Sequence, residues 1–293
     1  MGRYTGIALA VWIAALAAIA GLNAFVDPYG ALGTNRAGLY FSTERQFKNA
    51  AAAGADTLII GSSRATYIDP SDLPGKVFNA GWSGAAPEEF LSFLKVHMDR
   101  QTVLVGLDLF MLDANHKGGG RTEWGPLSLT RTLDYLSGVT PYSLTALWNF
   151  LSGVPSNIKP DGSRTTILRD TRDAKGIVDE GNRSYSGFEF SQERADALRQ
   201  LKTLCETRGA NCIVFIGPIS RRTLNRMERE GALVHLERFR VVVKSIFPGV
   251  YDFSVSEFSD DSNFWNSDAT HYRPETARAF LSFYPSAMAR LTR

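Results

Sequence analysis

Short apolar runs without alternating polar residues constrain the fold of this chain most strongly. The clearest runs are Thr57–Ile60 and segments 102–108 and 212–218, and weaker ones cover 76–79 and 250–253. A run that is apolar at every position is typical of a strand buried on both faces of a parallel sheet. Helical periodicity separates these runs, so the pattern predicts an α/β fold. We expect a flavodoxin-like, three-layer α/β/α arrangement whose five-stranded parallel sheet has the order 2-1-3-4-5.

Helix signals complete the pattern. Pro87 stands at a suitable first position for one helix, and Ser191 is a suitable N-cap for another. Apolar spacing predicts one long helix over 222–246 and a closing helix over 275–291.

The segment 111–190 interrupts this rhythm of strands and helices. It is too long for a plain connection, and its apolar spacing predicts two helices, over 128–136 and 141–151. We expect an inserted cap or groove wall within a domain that covers 31–293. Its aromatic residues could contact a sugar or pack into a core. They are Trp124, Tyr135, Tyr142 and Trp148.

The first 30 residues predict a membrane anchor or a signal segment. Residues Tyr4 to Val26 carry no charge, and a run of this length can span a bilayer. Arg3 precedes the run and Asp27 follows it, which leaves the rest of the chain outside the cytoplasm. We therefore expect a single-pass inner-membrane protein whose domain faces the periplasm or the cell exterior. A cleaved signal peptide, with a small-residue site at 18–20, is the alternative.

Charge and cysteine content narrow the function classes. The chain has 32 basic and 30 acidic residues without a basic stripe, which argues against a nucleic-acid partner. Cys205 and Cys212 are its only cysteines, and in an exported protein we expect them to form a disulfide worth about 2.5 kcal/mol. The spacing of Cys and His residues suggests no metal site, and we expect no cofactor.

Two distant segments carry residue types for nucleophilic catalysis. Gly61-Ser62-Ser63-Arg64 follows the first predicted strand, and Asp268-Ala269-Thr270-His271 precedes the closing helix. In an open parallel sheet both segments would lie at the carboxyl edge of the strands, where ligands bind. A serine there, a histidine base and an orienting aspartate would form a Ser63–His271–Asp268 triad. The alternative interpretation is that the serines only cap a helix.

This order of motifs resembles the SGNH (GDSL-like) hydrolase superfamily. Within it, the chain resembles the membrane-anchored members associated with cell-envelope acyl transfer, such as the alginate O-acetylation proteins and the D-alanine transfer protein of teichoic acids. The resemblance covers roughly residue 56 to the C-terminus. It implies that the Asn79-x-x-x-Ser83-Gly84 block supplies an oxyanion donor, Gly84, which would act beside the backbone N–H of Ser63.

The chain departs from the family pattern at two positions. Asp108 ends the third strand where the family carries Asn, and Ser62 stands where Asp usually precedes the nucleophile. An ionised carboxylate in the oxyanion hole would repel the developing charge. Either Asp108 lies outside the hole, or it is protonated, or the chemistry differs. Arg64 could bring positive charge near the site, or it could be an ordinary exposed arginine.

The resemblance implies an exported serine esterase or O-acyltransferase. Its substrate would be a carbohydrate or another acylated polymer of the envelope or the cell exterior, and a membrane acyl-transfer protein would be its partner. The alternative is a catalytically degenerate scaffold or glycan-binding subunit of a polysaccharide assembly complex. The departures at Ser62 and Asp108 favour that alternative.

Overall fold

The computed structural model describes residues 2–28, 32, 54–99, 102–118, 129–154, 158–164, 185–265 and 268–284. The chain forms two compact units. The larger unit covers 52–124 and 161–293, and the smaller one covers 1–51 and 125–160. The smaller unit therefore takes its residues from the N-terminal segment and from the segment predicted as an insert.

The larger unit contains the predicted parallel sheet. Its strands are β1 (Thr57–Ile60), β2 (Val77–Asn79), β3 (Thr102–Leu107), β4 (Asn211–Ile216) and β5 (Tyr251–Asp252). Each strand pairs with its neighbour in parallel, in the order β2-β1-β3-β4-β5. The α/β fold class and the strand order are thus as the sequence predicts. All four residues of β1 and all six of β3 are buried, which explains why polar residues do not alternate in these strands.

Helices flank the sheet in the larger unit. They are α2 (Pro87–His97), α5 (Gln192–Arg208), α6 (Arg221–Arg229), α7 (Leu233–Ile246) and α8 (Pro274–Phe280). The Ser191 side chain accepts a hydrogen bond from the backbone N–H of Arg194, so it caps α5 as predicted. On one face of the sheet, Ile59, Leu104 and Ile213 belong to the same core as Phe280 of α8.

The long helix predicted over 222–246 is wrong, because two helices occupy that segment. Between α6 and α7, Gly231 has a φ of +68°, a left-handed conformation that favours glycine and ends a helix. Because the apolar spacing continues across this break, periodicity alone predicts one helix where there are two.

The end of the described chain also differs from the prediction. β6 (Phe264–Trp265) and β7 (Asp268–Tyr272) form an antiparallel pair before α8, where a plain loop was predicted. α8 ends at Phe280 and a 3-10 turn follows over Leu281–Phe283, so the predicted continuous helix over 275–291 is interrupted after Phe280. Residues 285–291 of that prediction lie outside the described residues.

The smaller unit is helical. It contains α1 (Gly2–Val26), α3 (Leu129–Gly138) and α4 (Thr140–Leu151), which match the predicted membrane segment and the two predicted helices of segment 111–190. Within the described chain, α1 over Tyr4–Val26 is the helix that is long and apolar enough to cross a membrane, although a signal sequence passes the same test. Both α3 and α4 contact α1.

Cys205 and Cys212 form the predicted disulfide. Their Cα atoms are 6.1 Å apart, and the bond joins the last turns of α5 to the start of β4. The C-cap Gly209, in the left-handed conformation, turns the chain between them.

We predict that the pairing of Asp252 with cations of α7 makes stability depend on pH. Burial of the Asp252 carboxyl by itself raises its pKa, but hydrogen bonds from Lys244, Ser254 and Arg240 outweigh burial and lower the pKa to about 2. A lowered pKa contributes stability that is present above the pKa of the unfolded chain and is lost as the pH falls through about 2.

The test compares urea unfolding of the wild type and the Asp252→Asn variant. The variant should be less stable than the wild type near neutral pH, and the difference should shrink on acidification below the unfolded-state pKa. Asp196→Asn is the control, because the pair of Asp196 with Arg199 is about half exposed and such pairs contribute less than about 1 kcal/mol. A difference between wild type and Asp252→Asn that does not change with pH would contradict this explanation.

Candidate active site

The two serines after β1 lie in a sharp turn at the carboxyl edge of the sheet. Gly61 permits this turn, since a Cβ at this position would lie 2.5 Å from the Cβ of Ala65 and 3.1 Å from the carbonyl oxygen of Gly106. The chain then enters a 3-10 helix over Ala65–Tyr67, with the N–H of Ala65 bonded to the carbonyl of Ser62. The tight turn therefore fixes both serines against β3.

Ser62 and Ser63 have different surroundings. Ser62 is fully buried, and its Oγ accepts a hydrogen bond from the backbone N–H of Arg64 at 3.1 Å. This bond closes a local turn and is not the helix cap that the alternative interpretation gave to both serines, because the N-cap of the following 3-10 helix is Arg64 and no side chain caps it. Ser63 is only half-buried, and its Oγ lies 2.8 Å from Nε2 of His271. The second serine is thus the one that meets the histidine.

His271 reaches the turn from β7, which pairs with β6. Its ring is half-buried and meets the ring of Tyr67 edge-on, with 5.3 Å between centroids. The distance from Nε2 to Ser63 Oγ suits proton transfer from the hydroxyl to the imidazole. Asp268 is the first residue of β7, but its side chain lies outside the described residues. The orienting role of Asp268 stays a prediction.

Behind Ser63, a buried ion pair replaces the exposed arginine that one interpretation of the sequence allowed. Arg64 and Asp108 are 7% and 6% exposed, and the Arg64 Nη1 donates to the Asp108 carboxylate. The Oγ of Ser62 donates to the other carboxylate oxygen of Asp108. Both oxygens of the carboxylate are therefore engaged, which neutralises the negative charge that the departure from Asn introduces.

The Arg64 guanidinium joins this pair to two more segments. Its Nη2 donates to the carbonyl of Pro218, just after β4, and its centre lies 5.2 Å from the ring centroid of Tyr272 in β7. Burial raises the pKa of the Tyr272 hydroxyl, while Arg64 lowers it and Asp108 raises it; the net shift is upward, so the phenol stays neutral. The Arg64 side chain, which follows β1, thus contacts residues at the ends of β3 and β4 and in β7. The β7 contact is Tyr272, the residue after His271.

The loop after β2 supplies the remaining candidate, Gly84. Asn79 holds this loop from inside: its Nδ2 donates to the carbonyls of Ala65 and Ile68, and its Oδ1 accepts from the N–H of Gly81. Gly84 has a φ of +66°, and its carbonyl lies 3.1 Å from Nε2 of His116. No sequence pattern indicated that His116 would contact the backbone of Gly84.

The backbone N–H groups of Ser63 and Gly84 are available as donors. Within the part of the chain that the structure describes, neither N–H has a hydrogen-bond acceptor. An oxyanion hole requires such donors close to the nucleophile. The assignment of these two groups to such a hole stays a prediction.

Arg164 is a further cation near the site that sequence reasoning missed. Its backbone N–H bonds the carbonyl of Thr66, and its Nη2 donates to the Oγ of Ser83 at 3.1 Å. Its guanidinium lies 5.9 Å from the ring of Tyr67, which in turn packs against His271. Arg164 lies far along the chain from every motif, so no sequence pattern points to it.

The other histidines have structural surroundings. His97 packs on Phe93 with 4.5 Å between ring centroids, and burial lowers the pKa of its imidazole. His235 stacks on Phe188 at 4.9 Å. Across the described ranges, no group of three or more His, Cys, Asp or Glu residues is arranged to hold a metal ion.

Comparison with protein-family models finds no match for this chain, and comparison with curated proteins finds none either.

We predict that removing the carboxylate of Asp108 strongly destabilises the larger unit. An Asp108→Ala variant leaves the Arg64 charge buried without its partner, and such losses cost about 3–5 kcal/mol. The matched control is Asp72→Ala, because its partner Arg278 has a 64% exposed side chain and stays solvated after the change. Urea unfolding of both variants measures the difference. An Asp108→Ala variant as stable as the Asp72→Ala control would show that the buried pair contributes little.

Proposed function

We propose that this chain is a serine acyl hydrolase or O-acyltransferase of the SGNH type. The observation that carries the proposal is the 2.8 Å approach of Ser63 Oγ to His271 Nε2, between residues 208 positions apart in the chain. The position of this pair at the carboxyl edge of a 2-1-3-4-5 sheet supports the proposal, because that edge binds ligands in open α/β folds.

In the proposed mechanism, Ser63 Oγ attacks the carbonyl carbon of an ester and His271 Nε2 accepts the hydroxyl proton. The N–H groups of Ser63 and Gly84 stabilise the negative charge on the carbonyl oxygen. The C–O bond to the leaving alcohol then breaks, and His271 returns the proton to the leaving oxygen. Asp268 keeps the imidazole in the tautomer that accepts at Nε2.

A second hydroxyl completes the cycle. It attacks the acyl carbon, His271 takes its proton, and Ser63 Oγ leaves and recovers the proton. If the hydroxyl belongs to water, the protein is an esterase, and if it belongs to a sugar, the protein is an O-acyltransferase. We propose an envelope or extracellular polysaccharide as the substrate. In an esterase its acyl ester is the group cleaved, and in an O-acyltransferase its hydroxyl accepts the acyl group from a donor supplied by a membrane acyl-transfer protein.

The proposed location is the outer side of the inner membrane. α1 is long and apolar enough to anchor the chain, and the disulfide between Cys205 and Cys212 is typical of an oxidising compartment. Arg3 before the helix favours an orientation in which the larger unit faces the periplasm or the cell exterior.

We predict that a fluorophosphonate probe labels the wild-type protein at Ser63. Ser63→Ala should lose the label entirely, because the nucleophilic oxygen is gone. Ser62→Ala is the control, since the neighbouring hydroxyl is buried and bonded to Asp108, and it should keep the label. His271→Asn should be labelled about 10²-fold more slowly, because the hydroxyl loses its base. Label that persists in Ser63→Ala would remove Ser63 as the nucleophile.

A non-catalytic scaffold or glycan-binding subunit is the second candidate. Its support was the carboxylate of Asp108, which would oppose an oxyanion. The pairing of Asp108 with Arg64 weakens that support, because the charge is compensated by a buried cation. The scaffold requires a cell carrying Ser63→Ala to make normally acylated polysaccharide. The enzyme requires that cell to make abnormally acylated polysaccharide: the acyl groups are lost if the protein is an O-acyltransferase and accumulate if it is an esterase.

A further inference from the structure

Two helices of the smaller unit present apolar side chains to their surroundings. On α4, Leu144, Trp148 and Leu151 recur at spacings of four and three, so they share one face of the helix. On α3, Leu129 and Leu133 are four residues apart and share a face as well. The exposed fractions are 53% for Leu144, 70% for Trp148, 71% for Leu151, 79% for Leu129 and 59% for Leu133. We call these five residues the apolar stripe.

The composition of α4 separates it from an ordinary surface helix. Its twelve residues contain no Asp, Glu, Lys or Arg. A solvated helix normally carries charged residues on its outer face. On α3, the polar residues Thr130 and Asp134 are exposed as well, about 100° around the helix from Leu129 and Leu133. The apolar stripe therefore resembles the apolar side of a helix that lies on a membrane, and not an ordinary solvent-exposed surface.

The stripe belongs to the unit that contains the candidate membrane span. The Asn23 side chain of α1 donates to Thr140 Oγ1 at the start of α4, and Asp27 accepts a hydrogen bond from the hydroxyl of Tyr135 at 2.6 Å. Val26 is buried against Ala146 of α4. These contacts lie at the C-terminal end of α1, while Tyr4–Leu16 of the same helix are exposed along their length.

We call the pair of helices α3 and α4 the helical hairpin. Its contacts with the end of α1 indicate where it lies relative to the candidate membrane span Tyr4–Val26. Asn23 and Asp27 are fully buried polar groups, and each is hydrogen-bonded to the hairpin, as a boundary between lipid and water requires. A span of 23 residues is about 35 Å long, close to the thickness of a bilayer core, so its end coincides with the headgroup level. Trp and Leu side chains are favourable at that level.

We propose that the hairpin of α3 and α4 lies on the bilayer that α1 spans, with the apolar stripe inserted at the boundary of headgroups and acyl chains. The hairpin is thus a second membrane contact, and Trp148 meets lipid. This inference goes beyond the proposed enzymatic function, and it needs only that α1 stays attached to the chain and in the membrane.

Single-cysteine labelling of the full chain tests this proposal. The only two native cysteines are joined in the disulfide, so an introduced cysteine is the single reactive thiol. An environment-sensitive fluorophore is attached at Leu151→Cys or, separately, at Leu133→Cys. The protein is reconstituted in vesicles of phosphatidylethanolamine and phosphatidylglycerol without any other protein, and quenching by aqueous iodide is compared with quenching by doxyl groups on the lipid.

Three further positions serve as controls. Ile13→Cys on α1 marks the bilayer interior, Asp134→Cys marks the polar face of the same hairpin, and Val241→Cys marks an exposed apolar residue of the larger unit. Probes at 151 and 133 should be quenched by doxyl lipid as at 13, and several-fold less by iodide than at 134 and 241.

Each other outcome overturns the proposal. In one such outcome, iodide quenches the probes at positions 151 and 133 as strongly as the probe at 241, while the probe at 13 stays in lipid. Water or a protein partner would then face the apolar stripe. Aqueous quenching at 13 as well would mean that α1 is not membrane-embedded. The fluorophosphonate label at Ser63 is unaffected by either result, so the failure of this proposal can be told apart from failure of the proposed function.

Discussion

A buried ion pair between Arg64 and Asp108 joins the segments that make up the candidate site. Parallel strands end at one edge of the sheet, but the edge alone only brings their loops near each other. Arg64 contacts Asp108 after β3, the carbonyl of Pro218 after β4, and the ring of Tyr272 in β7. Because a charge buried this deeply cannot rely on water, its partners must stay in place, and the turn that carries Ser63 stays with them.

This arrangement separates the roles of two adjacent serines. Ser62 satisfies the second oxygen of Asp108 and is sealed in the interior, while Ser63 points its hydroxyl to His271. The rigid neighbour therefore supports the half-exposed one. Ser62 and Asp108 form a single structural feature, since the hydroxyl of Ser62 donates a hydrogen bond to the carboxylate of Asp108.

In the smaller unit, buried polar groups near the end of α1 are also hydrogen-bonded to distant parts of the chain. Asn23 and Asp27 are polar residues close to an otherwise apolar helix, and each is bonded to the hairpin of α3 and α4. Unpaired polar groups at the edge of a bilayer are costly. The hairpin of α3 and α4 accepts the Asn23 amide N–H and donates to the Asp27 carboxylate, while its outer face stays apolar. The aromatic residue Trp148, which the sequence allowed as a sugar contact, is exposed on that outer face.

The sequence determined the class of fold, the disulfide and the positions of α1, α3, α4 and α5, because these depend on local patterns of apolar residues, caps and cysteines. It also predicted the strand order, which follows from the doubly wound arrangement that alternating strands and helices adopt. It also singled out Ser63 and His271, since a nucleophile and a base have few alternatives among residue types. It did not foresee the break at Gly231, where one backbone conformation interrupts a continuous apolar pattern. It also did not foresee the pairing of β6 with β7, because these strands are short and carry no alternating apolar pattern. Only the tertiary structure decided that Arg64 is buried against Asp108, that Arg164 lies beside Tyr67, and that α3 and α4 pack on α1. Such contacts join residues from 44 to more than 100 positions apart. A local sequence pattern cannot indicate which distant group neutralises a charge or covers an apolar face.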